Sequence, residues 1–143
     1  MFFINPYEAV GPIRFGMTRA ELVLVVGDPV RELKNRRAEA DLQFPGFSIR
    51  LSKGDEKVVE VGITPDTPVM LCDVDVFVSA DAFARLVKID GAPYEYVGFV
   101  ILLNLGVTMT GFHDADESQK AITVFEKGRW DHLRSQFNRL PIA

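Results

Sequence analysis

The sequence is poor in the residues that carry covalent or metal chemistry in small proteins, with one cysteine and two histidines in 143 residues. A single thiol excludes an intrachain disulfide, and Cys72 has no Cys-x-x-Cys partner that would indicate redox or zinc chemistry. No Gly-rich phosphate loop of standard spacing is present. The most apolar stretch, Val97 to Val107, contains Asn104 and falls well short of the ~20 residues that a membrane-spanning helix needs. Positive charge is not in excess either: 16 Lys and Arg stand against 20 Asp and Glu, a net charge of -4. That balance argues against general affinity for nucleic acid or anionic membrane. The opening Met1-Phe2-Phe3-Ile4-Asn5-Pro6 lacks the basic lead and long apolar run of a secretory signal, so a cytoplasmic protein is expected.

What is present suits one globular domain. Hydrophobic residues make up 48% and charged residues 25% of the chain, and at this length folding buries roughly two-thirds of the surface the unfolded chain exposes. The apolar pattern predicts an α+β protein. Thr18, followed by Glu21 at the reciprocal capping-box position, starts a helix through Ala20, Leu22, Leu24, Val25 and Val26 that stops at Gly27-Asp28-Pro29. After the charged stretch Val30 to Asp41, Phe47, Ile49 and Leu51 alternate with Ser48, Arg50 and Ser52, as in a half-buried strand. Lys53-Gly54-Asp55-Glu56 is a turn, and Val59, Val61 and Ile63 mark the returning strand of a hairpin.

The second half follows the same order. A strand is expected from Leu71 to Val78, with Cys72, Val74, Val76 and Val78 on one face and Asp73, Asp75 and Phe77 on the other. Ser79 caps a second helix through Ala82, Phe83, Leu86 and Val87, ended by Asp90-Gly91-Ala92-Pro93. A strand from Tyr96 to Asn104 follows. Gly106 to Thr110 then echoes Gly46 to Arg50, and Lys120 to Val124 echoes Lys57 to Val61. The chain thus divides into two helix-plus-hairpin units, 11–64 and 71–126. Trp130, Leu133, Phe137 and Leu140 complete it as the stripe of an amphipathic C-terminal helix over 128–140.

The string Gly11-Pro12-Ile13-Arg14-Phe15-Gly16-Met17-Thr18-Arg19-Ala20-Glu21-Leu22, followed by Gly27-Asp28-Pro29, resembles a Gly-Met-Thr-x-x-Glu signature. That signature belongs to outer-membrane assembly lipoproteins of the SmpA/BamE type and to the β-lactamase inhibitor protein, built from two such units. The resemblance implies an antiparallel sheet with helices packed on one face and the other face open. It further implies a protein-binding module with no chemistry of its own.

Charge placement points the same way. Residues 58–119 hold ten acids and two bases, while both flanks are positive. A focused acidic surface steers a basic partner. On the open face, Thr108, Thr110, Phe112, Thr123 and Phe125 are expected to point away from the helices, making Phe112 and Phe125 interface anchors. Phe112 leads into the turn His113, Asp114, Asp116 and Glu117, which would carry acidic groups into a partner's cleft. The expected function is therefore an immunity-type inhibitor that occludes the active site of a toxin or enzyme with a basic site. It would use Asp73, Asp75, Phe112, His113, Asp114, Asp116, Glu117 and Phe125, act as a monomer or weak dimer, and need no cofactor or metal. The alternative is a small-molecule-binding or enzymatic α+β domain using Asp73, Asp75 and His113. A third reading, a structural subunit of an assembly, would bury Phe112 and Phe125 in a homodimer.

Overall fold

A computed structural model describes residues 1–141 and shows an α+β fold with two sheets. The chain opens with three short strands, β1 (Phe2–Asn5), β2 (Ala9–Val10) and β3 (Ile13–Arg14), and then enters helix α1 (Arg19–Val26). The Thr18 hydroxyl accepts from the Glu21 N–H and the Glu21 carboxylate accepts from the Thr18 N–H, forming the capping box that the sequence predicts. Gly27, at φ +80°, ends the helix. Because α1 is apolar on most sides, it buries Leu22 completely yet leaves Leu24 86% exposed.

After α1 comes an antiparallel meander of β4 (Arg31–Lys34), β5 (Ala40–Phe44), β6 (Phe47–Leu51) and β7 (Val58–Ile63). The chain returns through β8 (Val69–Leu71) and β9 (Val74–Asp75) to helix α2 (Ala82–Asp90), which turns Ala82, Leu86 and Val87 inward and stops at left-handed Gly91. A second meander follows: β10 (Tyr94–Tyr96), β11 (Phe99–Leu102), β12 (Val107–Thr110) and β13 (Ala121–Phe125). The two meanders join through their last strands, β13 running antiparallel to β7 with Val124 opposite Val61 and Thr123 opposite Gly62. With β14 (Asn138–Arg139) added beyond β10, they form a nine-stranded antiparallel sheet.

The core fills the space on one face of that sheet. Leu42, Ile49, Val61, Val124, Met109 and Val100, drawn from six strands, are all fully buried. Val10, Ile13, Val69, Leu71 and Val74 from the smaller sheet, ordered β3-β2-β1-β8-β9, pack into the same cluster. This second sheet is antiparallel except where β1 runs parallel to β8. Tyr7 tethers the N-terminal segment to the second meander by donating its hydroxyl to the Leu103 carbonyl. Its ring lies against Gly106, where a Cβ would approach it to 3.1 Å. No helix among the described residues is long and apolar enough to cross a membrane.

Four expectations are corrected. The 128–140 segment is not an α-helix: Asp131–Gln136 is 3-10, Phe137 is extended, and β14 pairs with β10. Without β14 the outer edge of β10 would carry unpaired backbone groups, and hydrogen bonding to them outweighs one more helical turn. The Leu71 to Val78 strand breaks at Cys72 and Asp73, both left-handed at φ +51° and +62°, which makes them a two-residue turn between β8 and β9. Cys72 is therefore exposed, whereas the apolar alternation placed it on a buried face. The strand from Tyr96 to Asn104 is likewise interrupted, by a turn at Val97 and Gly98 with φ +40° and +87°. Finally, the charged stretch after Val30 contains β4, an edge strand whose Arg31, Glu32 and Lys34 are all exposed, as suits a sheet edge that must not pair further.

Candidate functional site

The outer face of the nine-stranded sheet is built from the residues that alternate with the core positions. Strand registers align Asp41, Arg50, Glu60 and Phe125 in one row across β5, β6, β7 and β13, and Gln43, Ser48, Gly62, Thr123 and Thr108 in the next. The first row alternates negative, positive and negative charge, an arrangement that favours cross-strand attraction. The second row is small and polar, so the sheet floor is low there.

The segment after β13 turns back over part of this face. Gly128 (φ +86°) redirects the chain, and Trp130 packs its ring 5.7 Å from Phe99 and 6.1 Å from both Phe125 and Phe137. The same turn delivers Arg129 to the charged row. Its Nη1 and Nη2 donate to the two carboxylate oxygens of Glu39 at 2.8 and 2.9 Å, and its Nε donates to Glu60 at 2.9 Å. Glu60 also accepts from Arg50. The Arg129, Glu39 and Glu60 side chains are each less than a tenth exposed, while Arg50 is 37% exposed. Burial disfavours the Arg129 charge, but its hydrogen bonds to Glu39 and the attraction of Glu60 prevail and hold it protonated. The Arg129 hydrogen bonds, helped by one from Asn35, lower the Glu39 carboxyl to about 2 against the burial that would raise it.

Two clefts open along this face. One, of about 260 Å³, is lined by Arg37, Arg50, Glu60, Thr123, Arg129 and Trp130, among others. The second, of about 360 Å³, runs over Gln43, Ser48, Gly62 and Thr64 and shares Arg50 and Thr123 with the first. Together they form a trough with Arg50 at its midpoint. The β12–β13 loop leaves the sheet at Thr110 and returns at Ala121, which lines the second cleft.

The residues expected to form the site are only partly brought together. Phe112 and His113 belong to one aromatic cluster. Phe112 stacks on Phe77 at 5.9 Å and Phe83 at 6.4 Å, and His113 lies 6.2 Å from Phe83. Lys120 sits 4.8 Å above the Phe112 ring, so this half-buried side chain is covered from its own loop. Asp114 and Glu117 are exposed beside it. Asp116 accepts from the Ser118 N–H and hydroxyl, and Asp114 accepts from the Asp116 N–H, so the acidic turn is held by its own hydrogen bonds. Asp73 is exposed at the β8–β9 turn, and Asp75 is half-buried with Oδ1 unpartnered.

Phe125 is a correction. It is 1% exposed, held between the rings of Tyr7 and Trp130, and is a core residue and no interface anchor. Thr108, expected to be free on the same face, is buried as well. Among the described residues, no group of three or more His, Cys, Asp or Glu side chains could hold a metal ion. Sequence patterning missed Arg50, Glu60 and Arg129. Its only available signal was the opposite charge of Arg50 and Glu60 at facing positions of the predicted hairpin. Comparison of the chain with protein families, with curated proteins and with solved structures finds no match in any of the three.

Proposed function

We propose that this chain is a protein-binding module that acts as an immunity-type inhibitor, covering the active site of a toxin or enzyme and catalysing nothing itself. The carrying observation is the trough on the outer face of the nine-stranded sheet, where Ser48, Gly62 and Thr123 leave a low polar floor in the second cleft and Thr123 continues into the first. A groove of that shape receives a protruding loop of a partner. The acidic turn of Asp114, Asp116 and Glu117 meets a partner with a basic site and speeds encounter. In this reading the two helix-plus-meander units are tandem repeats with their helices on the inner side, as in the SmpA/BamE and β-lactamase-inhibitor plans. The protein works in the cytoplasm as a monomer or weak dimer. The aromatic cluster of Phe112 and His113 contributes at the margin, beside Asp73 and Asp75.

The test is affinity capture from the native cell, with the captured protein identified and its binding rate measured against purified variants. Thr123→Arg, which fills the trough floor, is expected to abolish capture while leaving the melting temperature within a few degrees. Asp114→Lys with Asp116→Lys is expected to slow association and flatten its salt dependence. Capture of no protein at low salt, or equal capture by Thr123→Arg, would overturn the reading.

A further inference from the structure

The geometry points to the cleft between Arg50 and Trp130 as a binding site for a small organic carboxylate carried on a flat apolar body. This inference does not depend on the protein-binding reading. Three guanidinium groups, Arg37, Arg50 and Arg129, line the cleft against one carboxylate, Glu60. Arg129 donates from each of its three nitrogens to Glu39 or Glu60 and is held as a fixed base of the cleft. Arg50 is different. Glu60 holds it from one side through Nη1, its Nε has no hydrogen-bond partner, and more than a third of its side chain is exposed. Nε is shielded and faces Asp41 at 4.0 Å, whereas Nη2 carries no hydrogen bond, and a guanidinium fixed at Nη1 with Nη2 left free is preorganised for a planar oxyanion.

The Trp130 indole lines the same cleft, with its Nε1 shielded from water and without a hydrogen-bond partner. Trp130, Phe99 and Leu133 supply an apolar wall beside these donors. Few convergent polar groups on an aromatic-lined wall is the usual make-up of a small-ligand site.

Charge then selects the kind of anion. Glu39 and Asp41 stand just behind the lining, Asp41 with an oxygen 4.0 Å from Arg50 Nε. With Glu60 they balance the three arginines. A balanced cluster accepts one negative charge at Arg50 and Arg37 more readily than the two of a phosphate dianion. At about 260 Å³ the cleft has room for one ring with its carboxylate.

Trp130 is the only tryptophan in the chain, so its emission and its indole N–H resonance report on this cleft alone. The experiment titrates the full-length protein with benzoate, and in parallel with inorganic phosphate and with cyclohexanol as a neutral apolar probe. The expected result is a saturable change with benzoate, an apparent affinity for phosphate roughly tenfold weaker or worse, and no saturation with cyclohexanol. Arg50→Gln is expected to weaken benzoate roughly tenfold, the scale of one lost charge-assisted hydrogen bond, and Arg50→Lys to fall between. Should Arg50→Gln fail to fold, Arg37→Gln at an exposed position is expected to weaken benzoate severalfold. No saturable change with benzoate, tighter binding of phosphate, or affinity unaltered in the arginine variants would overturn the assignment.

Discussion

Arg129 and Glu39 are 90 positions apart in sequence, yet the guanidinium of the first donates to both carboxylate oxygens of the second, at 2.8 and 2.9 Å. The pair joins the first meander to the segment that follows the second. It is buried on both sides and completed by Glu60. Arg129→Met should therefore destabilise the protein by about 3–5 kcal/mol, because it leaves Glu39 buried without a countercharge and Glu60 with Arg50 alone. Adding Glu39→Gln to Arg129→Met should recover part of that loss. Urea denaturation of the single and double variants measures both effects, and a double variant no more stable than Arg129→Met would refute the proposed cause.

The same pair makes stability depend on acid. Glu39 titrates at about 2 in the folded protein against an ordinary value of 4.5. A carboxyl lowered by folding contributes stability that is complete above its unfolded value and is lost as pH falls through its folded one. The contribution, about 3 kcal/mol, should fade between pH 4.5 and about 2. In Glu39→Gln this part of the acid transition should be missing, as measured by urea midpoints at a series of pH values.

Asp90 carries a different kind of connection. From the last turn of α2 it accepts three backbone N–H groups: Asn104 at 2.9 Å, Leu105 at 3.2 Å and Ala92 at 3.2 Å. Burial pushes its carboxyl up, and those three bonds oppose the rise. Asp90→Ala should cost about 2–4 kcal/mol by leaving donors unpaired in the β11–β12 turn. Asp90→Asn, which keeps an acceptor oxygen, should cost less. Hydrogen exchange at the Asn104 and Leu105 amides should accelerate in both, and unchanged protection would contradict the role.

The shape of the acidic turn rests on Gly111. At φ +78°, a Cβ there would lie 2.5 Å from the Asp116 carbonyl oxygen and 2.6 Å from the Lys120 nitrogen. Gly111→Ala should lower the melting temperature by several degrees and disorder residues 112–120, since backbone atoms cannot yield as a side-chain tip can. Gly98→Ala has a similar φ of +87° but meets nothing within 4 Å, so it should cost only about 1 kcal/mol. Equal effects of the two substitutions would show that crowding at Gly111 is unimportant.

The parts legible in sequence were those governed by neighbours along the chain. The capping box at Thr18 and Glu21, the stop at Gly27, the hairpin of β6 and β7, and the pairing of β12 with β13 all follow from local chemistry and period-two alternation. The turns at Cys72-Asp73 and Val97-Gly98 did not show, because three of those four residues seldom take positive φ and nothing local marks them. The candidate site was hardly visible at all. Asp114, Asp116 and Glu117 were found as a run of like charge, but Arg50, Glu60 and Arg129 come from β6, β7 and the segment after β13.

The sequence by itself determined the start of α1, though not that of α2, whose N-cap is Asp81 and not Ser79, together with most strands and the division of charge into an acidic centre and positive flanks. Only the tertiary structure decided that β7 and β13 join two meanders into one sheet, that Phe125 belongs to the core, and that the C-terminal segment pairs with β10 instead of coiling. The reason is physical. Alternation tells which side of a strand is apolar, but the partner at an edge is chosen by which unpaired backbone groups and buried charges remain after every other segment has packed.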